Sequence, residues 1–243
     1  MIIYPAIDLR NGQVVRLQEG DPNRQTTFSS DPIAIGKQWI AAGAEWLHVV
    51  NLDGAFGDDS PNLRIAEQLA TLGVPVQFGG GIRSLEQITI ALNLGISRVI
   101  LGTVAIQKPQ IVIDALTKYG AERICVGLDA KDGKVTTHGW QISSEVTPIE
   151  LGNEMAKHGL VHALFTDVNR DGKLGGVNVQ GTAEIARSTG LQVIASGGVG
   201  NLDDIQALTD TGIIAGAIVG MALYTQKFTL QEALSITRKT ENS

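Results

Sequence analysis

The chain is poor in the residues that mark disulfide-bonded and metal-binding proteins. Its 243 residues include one cysteine, Cys125, which excludes an internal disulfide and a cysteine-rich metal site. Because Cys125 lies within an apolar run, we expect a small buried side chain rather than a reactive thiol. The histidines lack the spacing of metal ligands, and we interpret each as an ordinary histidine: His48, His138, His158 and His162. We therefore expect no metal and no cofactor.

Long basic and apolar runs are also missing. The net charge is −6 and no run of Lys or Arg occurs, which argues against nucleic acid or a membrane surface as the main partner. No apolar stretch reaches the roughly 18 residues of a membrane span, and the first residues lack a charged segment followed by an apolar one. We expect a soluble cytoplasmic protein, a monomer, without nucleic-acid or membrane partners. A phosphorylated small molecule still fits, since backbone amides at helix N-termini bind anions.

What the sequence does contain is an internal repeat. The segments 6–15 and 127–136 align without a gap and place Asp8 on Asp129. In each copy an apolar run leads to a lone carboxylate, then to a basic residue and an Asn-Gly or Asp-Gly turn that begins a β-hairpin. Each half of the chain is therefore predicted to deliver one aspartate to the end of a buried strand.

The order of apolar runs and helical segments predicts the fold. The runs are continuous rather than alternating, as in parallel strands buried on both faces. The predicted strands are 2–7, 46–53, 74–78, 98–101, 124–128, 163–167, 192–195 and 216–219. Eight strand-helix units in 243 residues indicate the α/β class and a (β/α)8 TIM barrel. A doubly wound open sheet is the rival, and the repeat favours the barrel. We expect one domain, 1–243, built from two duplicated half-barrels of about 1–121 and 122–243.

Two glycine-rich segments, 77–88 and 194–205, also match each other. Each follows a strand and precedes a helix with a predicted N-cap, Ser84 or Asn201, so that backbone N–H groups gather at a positive helix end. A single Gly-Gly loop also fits a simple tight turn. Two loops in symmetric positions, each beside a strand that ends in glycine, favour two phosphate sites on opposite rims of the barrel mouth. The predicted ligand carries a phosphate at each end.

The two aligned aspartates predict chemistry between those phosphate sites. Carboxylates across a barrel mouth can act as general acid and general base if their environments separate their pKa values. Asp171, near Thr166, offers a third carboxylate, although an acidic loop residue next to Arg170 is usually solvated. Trp140, on the loop after the fifth strand, fits either stacking on a flat ring or covering the top of the barrel.

Six motifs in order carry a family resemblance over nearly the whole chain. They are Pro5–Leu9, Val15–Asp21, Gly79–Ser84, Gly127–Asp129, Thr166–Gly172 and Ser196–Val199. Together they closely resemble the ProFAR isomerase family of histidine biosynthesis. The resemblance implies a duplicated half-barrel that acts on a bisphosphorylated ribotide, ProFAR, and converts its N-linked aminoaldose to the ribulosyl aminoketose by an Amadori rearrangement.

The resemblance also implies roles for individual residues. Asp8 would be the general base and Asp129 the general acid, with Asp171 a competing candidate for the acid and Thr166 a further active-site residue. Substrate and phosphate contacts are implied at Arg16, Gly81, Arg83, Ser84, Gly102, Thr103, Trp140, Gly176, Gly197, Gly198 and Gly220. The chain departs from the family pattern at Asn51, where Asp is common, and at Lys173, where Thr is usual.

Three alternatives stay open at this point. The cyclase subunit of imidazole glycerol phosphate synthase shares the barrel, both aspartates and both phosphate loops, and it needs a glutaminase partner; its first hairpin typically reads Val-Val-Lys-Gly, whereas Arg16 and Leu17 stand here. A bifunctional isomerase that also serves tryptophan synthesis usually has Arg where His138 precedes Gly-Trp. A non-catalytic phosphosugar-binding regulator would be expected to have lost one aspartate.

Overall fold

The computed structural model describes residues 1–18, 21–57 and 61–239 of the chain, so that Gly20, in the second of the six motifs, lies outside the described residues. Its strands, in chain order, are β1 (Ile2–Arg10), β2 (Gln13–Gln18), β3 (Asp21–Ser29), β4 (Leu47–Asn51), β5 (Val76–Gly79), β6 (Arg98–Leu101), β7 (Ile124–Gly127), β8 (Ala130–Lys131), β9 (Lys134–Thr137), β10 (Ile142–Ser143), β11 (His162–Thr166), β12 (Gln192–Ser196) and β13 (Gly216–Val219).

Eight of these strands form a closed parallel barrel. Their order is β1-β4-β5-β6-β7-β11-β12-β13, and β13 pairs with β1 to close the circle. Neighbouring strands follow one another in the chain with helices between them, as short right-handed crossovers require. The (β/α)8 barrel predicted from the sequence is confirmed.

Helices separate the barrel strands. They are α1 (Pro32–Ala41), α2 (Leu52–Phe56), α3 (Asn62–Ala70), α4 (Leu85–Asn93), α5 (Thr103–Gln107), α6 (Pro109–Tyr119), α7 (Pro148–Lys157), α8 (Val179–Thr189), α9 (Leu202–Asp210), α10 (Met221–Tyr224) and α11 (Leu230–Lys239). The predicted N-caps are present: the side chain of Ser84 accepts from the backbone N–H of Gln87, and Asn201 accepts from that of Asp204. No helix within the described residues has the length and apolar character needed to cross a bilayer.

Two hairpins rise from the barrel at the positions of the repeat. β1 continues through Asp8 and pairs with β2, and the turn between them holds Asn11 and Gly12 at φ 49° and 75°. After β7, β8 pairs with β9 around Asp132 and Gly133, at φ 52° and 80°. Both turns have positive φ at two central residues, the geometry that Asn-Gly and Asp-Gly favour. The hairpin prediction holds in both halves, while the boundary between the halves near residue 121 stays a prediction.

The core has two layers, as expected for a barrel surrounded by helices. One fills the barrel itself and consists of the buried side chains of Tyr4, Ala6, Ile100, Cys125, Leu164, Ile194 and Ile218. The other lies between the strands and the helices and takes the alternate residues of the same strands, such as Ile7, Val49 and Val99. The expected burial of Cys125 is observed, and burial raises the pKa of its thiol to about 12.

Two segments differ from the sequence-based prediction. The second barrel strand ends at Asn51 rather than Asp53, because the Asn51 side chain accepts from the Gly54 N–H and begins α2. The segment after β6 forms the short helix α5 before Pro109 begins α6, whereas the sequence predicts a single helix that Lys108 and Pro109 open and that reaches about Tyr119. Both changes lie at the carboxyl ends of strands and therefore shape the barrel mouth.

Candidate active site

The carboxyl ends of the strands surround a cavity of about 190 Å³. Four residues predicted from widely separated parts of the sequence line it together: Asp8, Asp129, Thr166 and Asp171. Asp8 lies in β1, Asp129 directly after β7, Thr166 at the end of β11, and Asp171 in the turns that follow β11. The fold thus brings the three candidate carboxylates into one space, which the order of residues alone did not establish.

Arg16 joins two of these carboxylates. Its Nη1 donates to Oδ2 of Asp8 at 2.5 Å and its Nη2 to Oδ1 of Asp171 at 2.5 Å. Burial disfavours the charged guanidinium, but the carboxylates of Asp171 and Asp8 raise its pKa above the ordinary value. A permanent cation therefore lies between the two acids and pairs with both.

Asp129 has a different environment. Its Oδ2 accepts from the indole Nε1 of Trp140 at 2.9 Å, and its Oδ1 has no hydrogen-bond partner among the described residues. Burial raises the pKa of the Asp129 carboxyl, and hydrogen bonds involving Thr166 and Trp140 oppose that shift only in part. No ion pair within the described part of the chain joins Asp129 to a cation. Protonation of Asp129 therefore breaks no ion pair within that part of the chain.

Asp171 is buried, with 3% of its surface exposed, although an acidic loop residue next to an arginine is usually solvated. The neighbouring Arg170 pairs instead with Asp167, and this leaves Asp171 to face Arg16 across the barrel mouth. Burial raises the pKa of Asp171, and the charge of Arg16 opposes the shift. Protonation of Asp171 would therefore break an ion pair, which is not so for Asp129.

The first predicted phosphate site lies on one side of this cavity. Gly81, Arg83, Gly102 and Thr103 line it, while Ser84 supplies the N-cap of α4 behind the loop. Gly81 has φ 82°, and a Cβ there would lie 2.7 Å from the Gly54 backbone, so that only glycine fits. The Arg83 guanidinium donates to the Gly54 carbonyl at 3.1 Å. These residues form a cup of backbone and basic groups.

The second predicted phosphate site is a smaller pocket beside the first. Gly197, Gly198 and Gly220 line it, and it shares Arg16 and Asp171 with the main cavity. Gly198 has φ 92°, and a Cβ on it would lie 2.5 Å from the carbonyl oxygen of Gly176.

Gly176 itself lies behind this pocket. Its N–H donates to the Gly198 carbonyl at 3.1 Å, so that Gly176 holds the loop in place. The substrate or phosphate contact implied for Gly176 by the family resemblance stays a prediction.

The loop after β9 covers Asp129. His138, Gly139 and Trp140 have φ 55°, 61° and 69°, three successive residues in the left-handed region. The N–H of His138 donates to the Thr103 hydroxyl at 2.9 Å, while Trp140 donates to Asp129. Of the two sequence-based interpretations of Trp140, covering the barrel mouth describes this arrangement; stacking on a ring stays a prediction.

Sequence reasoning missed three residues that line or support the cavity. His48 and Ser196 are part of its wall, and Gln77, fully buried, hydrogen-bonds His48. The sequence did carry a signal for two of them, because His48 and Gln77 are polar residues within the apolar runs of β4 and β5. Alternate residues of a barrel strand face the interior, so a polar residue in such a run is a candidate for the cavity wall. Among the described residues, no group of three or more His, Cys, Asp or Glu side chains is placed to hold a metal ion.

Comparison with known proteins places this geometry in a family. The sequence model described as "Histidine biosynthesis protein" matches residues 2–229. A protein of Moorella thermoacetica is 48% identical over 239 residues, which cover 97% of this chain and 98% of the relative. A protein of Desulforamulus reducens is 49% identical over 245 aligned residues, with 100% and 99% covered. Both are named 1-(5-phosphoribosyl)-5-((5-phosphoribosylamino)methylideneamino)imidazole-4-carboxamide isomerase. The match of the family model and the full-length similarity to these isomerases show that the chain belongs to the histidine biosynthesis protein family.

Proposed function

We propose that the chain is an intramolecular aldose-ketose isomerase of histidine biosynthesis that converts ProFAR, the bisphosphorylated ribotide named in its relatives, to the ribulosyl isomer. The observation that carries the proposal is the unequal environment of Asp8 and Asp129 within one cavity. Asp8 is in an ion pair with Arg16, whereas Asp129 accepts from an indole N–H and forms no ion pair with any of the described residues. A reaction that needs a base and an acid at once is served by such a difference.

The mechanism begins at Asp129. Its carboxyl, with a pKa raised by burial, donates a proton to the ring oxygen of the ribose attached to the amine. The C1–O bond breaks, the amine nitrogen supplies electrons to C1, and a protonated Schiff base forms. Asp8 then removes the proton from C2 as a carboxylate. The electrons move to the Schiff base and give an enolamine, which tautomerises to the ketose with a protonated C1, so that the substrate's atoms are conserved.

The two glycine cups would hold the ends of the substrate. A phosphate at Gly81, Arg83, Gly102 and Thr103 and a second at Gly197, Gly198 and Gly220 would place the connecting ribose over Asp8 and Asp129. Backbone N–H groups at the N-termini of α4 and α9 favour an anion at each position. The pocket geometry supports a substrate with two phosphates, because a single cup would leave the other end of a long ligand unheld.

Asp171 fits a supporting role better than the role of acid. It shares Arg16 with Asp8, so protonation of Asp171 would leave the guanidinium with one partner fewer. We assign it the task of orienting Arg16 and, through it, Asp8. Thr166, which lines the cavity together with the acidic residues, would hydrogen-bond Asp129 or the substrate.

The test is turnover of ProFAR by the wild type and by Asp8→Asn, Asp129→Asn and Asp171→Asn. We expect each of the first two to lose about 10²- to 10⁴-fold in kcat, typical of a general acid or base. Asp210→Asn, a change on an exposed helix end, is the matched control and should keep full activity.

Two results would change the proposal. An active Asp129→Asn together with an inactive Asp171→Asn would move the acid to Asp171. A wild type that does not turn over ProFAR but consumes the ketose with ammonia would replace the isomerase by the cyclase.

A further inference from the structure

His48 lies at the floor of the cavity, one layer below the reacting carboxylates. In β4 it faces the barrel interior, and the register pairs it with Ala6, while Asp8 pairs with Val50 one inward-facing position higher. Its side chain is buried, with 6% exposed, yet it belongs to the cavity wall together with Asp8 and Asp129. A buried polar ring needs hydrogen-bond partners, and the side of His48 that faces the cavity can find one in a bound ligand.

The ring of His48 is neutral near pH 7. Burial and the positive charge of Arg16 lower the pKa of its imidazole to about 3. His48 therefore does not exchange protons with a substrate near neutrality. A neutral imidazole still offers one N–H donor and one acceptor nitrogen, and their positions depend on the tautomer.

Gln77 selects the tautomer. It lies on the adjacent strand β5, directly opposite His48 in the register, and is fully buried. Its Nε2 lies 3.0 Å from Nδ1 of His48, where the amide donates to the ring nitrogen. The proton of the neutral ring then sits on Nε2, and this Nε2–H has no hydrogen-bond partner among the described residues.

We propose that His48 is a substrate-binding residue that donates its Nε2–H to a hydroxyl of the ribose undergoing isomerisation, and that Gln77 is the positioning residue that fixes its ring. The inference rests on the proposed function, since the hydroxyl belongs to the sugar held between Asp8 and Asp129. A fixed neutral donor recognises the sugar without competing with Asp129 for the role of acid. A buried donor left without a partner also disfavours ligands that lack the hydroxyl.

Two substitutions at His48 separate this role from simple packing. In His48→Gln the side-chain amide nitrogen can reach the position of Nε2, whereas in His48→Asn it reaches only that of Nδ1. We expect His48→Asn to raise KM for ProFAR, and to weaken ProFAR binding to an Asp129→Asn background, by about tenfold, the effect of one lost hydrogen bond. His48→Gln should stay within about threefold of the wild type. His162→Gln, at the other end of the barrel interior, is the control and should keep the wild-type KM.

The role of Gln77 is tested by measuring which ring nitrogen of His48 carries the proton. Histidine labelled with ¹⁵N should show His48 protonated on Nε2 in the wild type, with the signal assigned by its loss in His48→Asn. In Gln77→Glu the carboxylate accepts from Nδ1–H, so the proton should move to Nδ1 and kcat/KM should fall about tenfold. A carboxylate beside the ring also raises the pKa of His48, so the variant should gain a pH dependence between pH 5 and 8 that the wild type lacks. Gln77→Met, which is apolar and of similar length, reports the cost of the lost hydrogen bond alone.

The outcomes distinguish the inference from the function. An active wild type with equal KM values for His48→Asn and His48→Gln, or an Nδ1–H ring in the wild type, overturns the role of His48 and leaves the isomerase intact. A wild type inactive on ProFAR overturns both. A lower KM for His48→Gln than for His48→Asn, together with an Nε2–H ring, supports the inference.

Discussion

The guanidinium of Arg16, in the first hairpin, donates to the carboxylate of Asp171 at 2.5 Å, although 155 residues separate them in the chain. The same guanidinium donates to Asp8, so β1 and the turns that follow β11 meet at one cation. Nine-tenths or more of each carboxylate side chain is buried, and 14% of the Arg16 side chain is exposed. This pairing joins Asp8 and Asp171 across the barrel mouth, and among the described residues Asp129 takes no part in it.

Removal of the cation should destabilise the protein and inactivate it. In Arg16→Met two buried carboxylates face each other unpaired, and we expect a loss of about 3–5 kcal/mol in the free energy of unfolding at pH 7. The loss should shrink as the pH falls, because burial raises the pKa of Asp171 and its protonation relieves the repulsion. Urea unfolding at pH 7.5 and pH 5 measures both effects.

Two further variants test this prediction: one removes an exposed arginine, and the other adds a second substitution that should restore stability. Arg64→Met removes a cation that is 79% exposed and pairs with Glu67, and it should cost at most about 1 kcal/mol. Adding Asp171→Asn to Arg16→Met should restore part of the stability. If the double variant is less stable than Arg16→Met alone, the two carboxylates do not repel each other and the explanation is wrong.

Loss of the indole donor to Asp129 should shift the pH profile. Trp140 Nε1–H stabilises the carboxylate form of Asp129, so Trp140→Phe should raise the pKa of that carboxyl above its wild-type value. A general acid is active below its pKa, so the basic limb of kcat/KM should move to higher pH, with kcat/KM lower by about tenfold. Trp46→Phe, next to Arg98 at the other end of the barrel, should leave the limb in place. An unchanged limb in Trp140→Phe would remove Asp129 from the role of acid.

Alanine substitutions at two glycines of the first phosphate cup should weaken phosphate binding, and their effects on KM and on stability can be measured separately. At Gly102 a Cβ meets nothing within 4 Å, but the backbone angles, φ −97° and ψ −93°, lie outside the regions that alanine prefers. Gly102→Ala should therefore lose about 1–3 kcal/mol of stability, while its methyl occupies the cup and raises KM about tenfold or more. At Gly81 the Cβ would overlap the Gly54 backbone, so Gly81→Ala should also lose about 1–3 kcal/mol of stability.

A third glycine variant controls for backbone strain alone. Gly190→Ala, with φ 70° and open space at the end of α8, should lose about 1 kcal/mol without any change in KM. Thermal unfolding measures the stability loss of each of the three variants, and steady-state kinetics measures the change in KM. A normal KM in Gly102→Ala would contradict a phosphate at this cup.

The sequence predicted the barrel because buried parallel strands leave a local pattern. The bounds of β6 and β13 agree with the predicted ones, since each is a short apolar run that ends at a glycine. The predicted end of the second barrel strand, Asp53, was wrong. The Asn51 side chain caps α2 and ends β4 two residues earlier, and a pattern of apolar residues does not reveal such a cap.

The internal repeat predicted only part of the site, and the family resemblance implied Arg16, Thr166, Asp171 and Trp140 in addition. Asp8 and Asp129 were found by aligning segments 6–15 and 127–136. Such an alignment identifies equivalent positions without any information on how far apart they lie in the fold. The pairing of Arg16 with Asp171 and the burial of Asp171 depend on contacts across the barrel, which sequence spacing does not encode. His48 was interpreted as ordinary for the same reason, since its meaning comes from Gln77 on the next strand.

His48 should also make the fold sensitive to acid. In the folded chain its imidazole has a pKa of about 3, whereas an unfolded histidine has about 6.5. Between these values the unfolded state binds the proton and the folded state does not, so the free energy of unfolding falls as pH falls, by about 1.4 kcal/mol per pH unit for this group. Above pH 6.5 the contribution is complete. His162, whose pKa burial also lowers, acts in the same direction.

The free energy of unfolding of the wild type and of His48→Gln can be compared at several pH values. The carboxylates affect both proteins alike, so the difference between the two curves reports the contribution of His48. Urea unfolding of the wild type and of His48→Gln at pH 7.5, 6, 5 and 4.5 should give curves that converge as the pH falls, because the glutamine cannot take up a proton in the unfolded chain. His158→Gln, on an exposed position at the end of α7, is the control and should run parallel to the wild type. Parallel curves for His48→Gln would mean that His48 titrates alike in the folded and unfolded chain, and that it is not held neutral at the cavity floor.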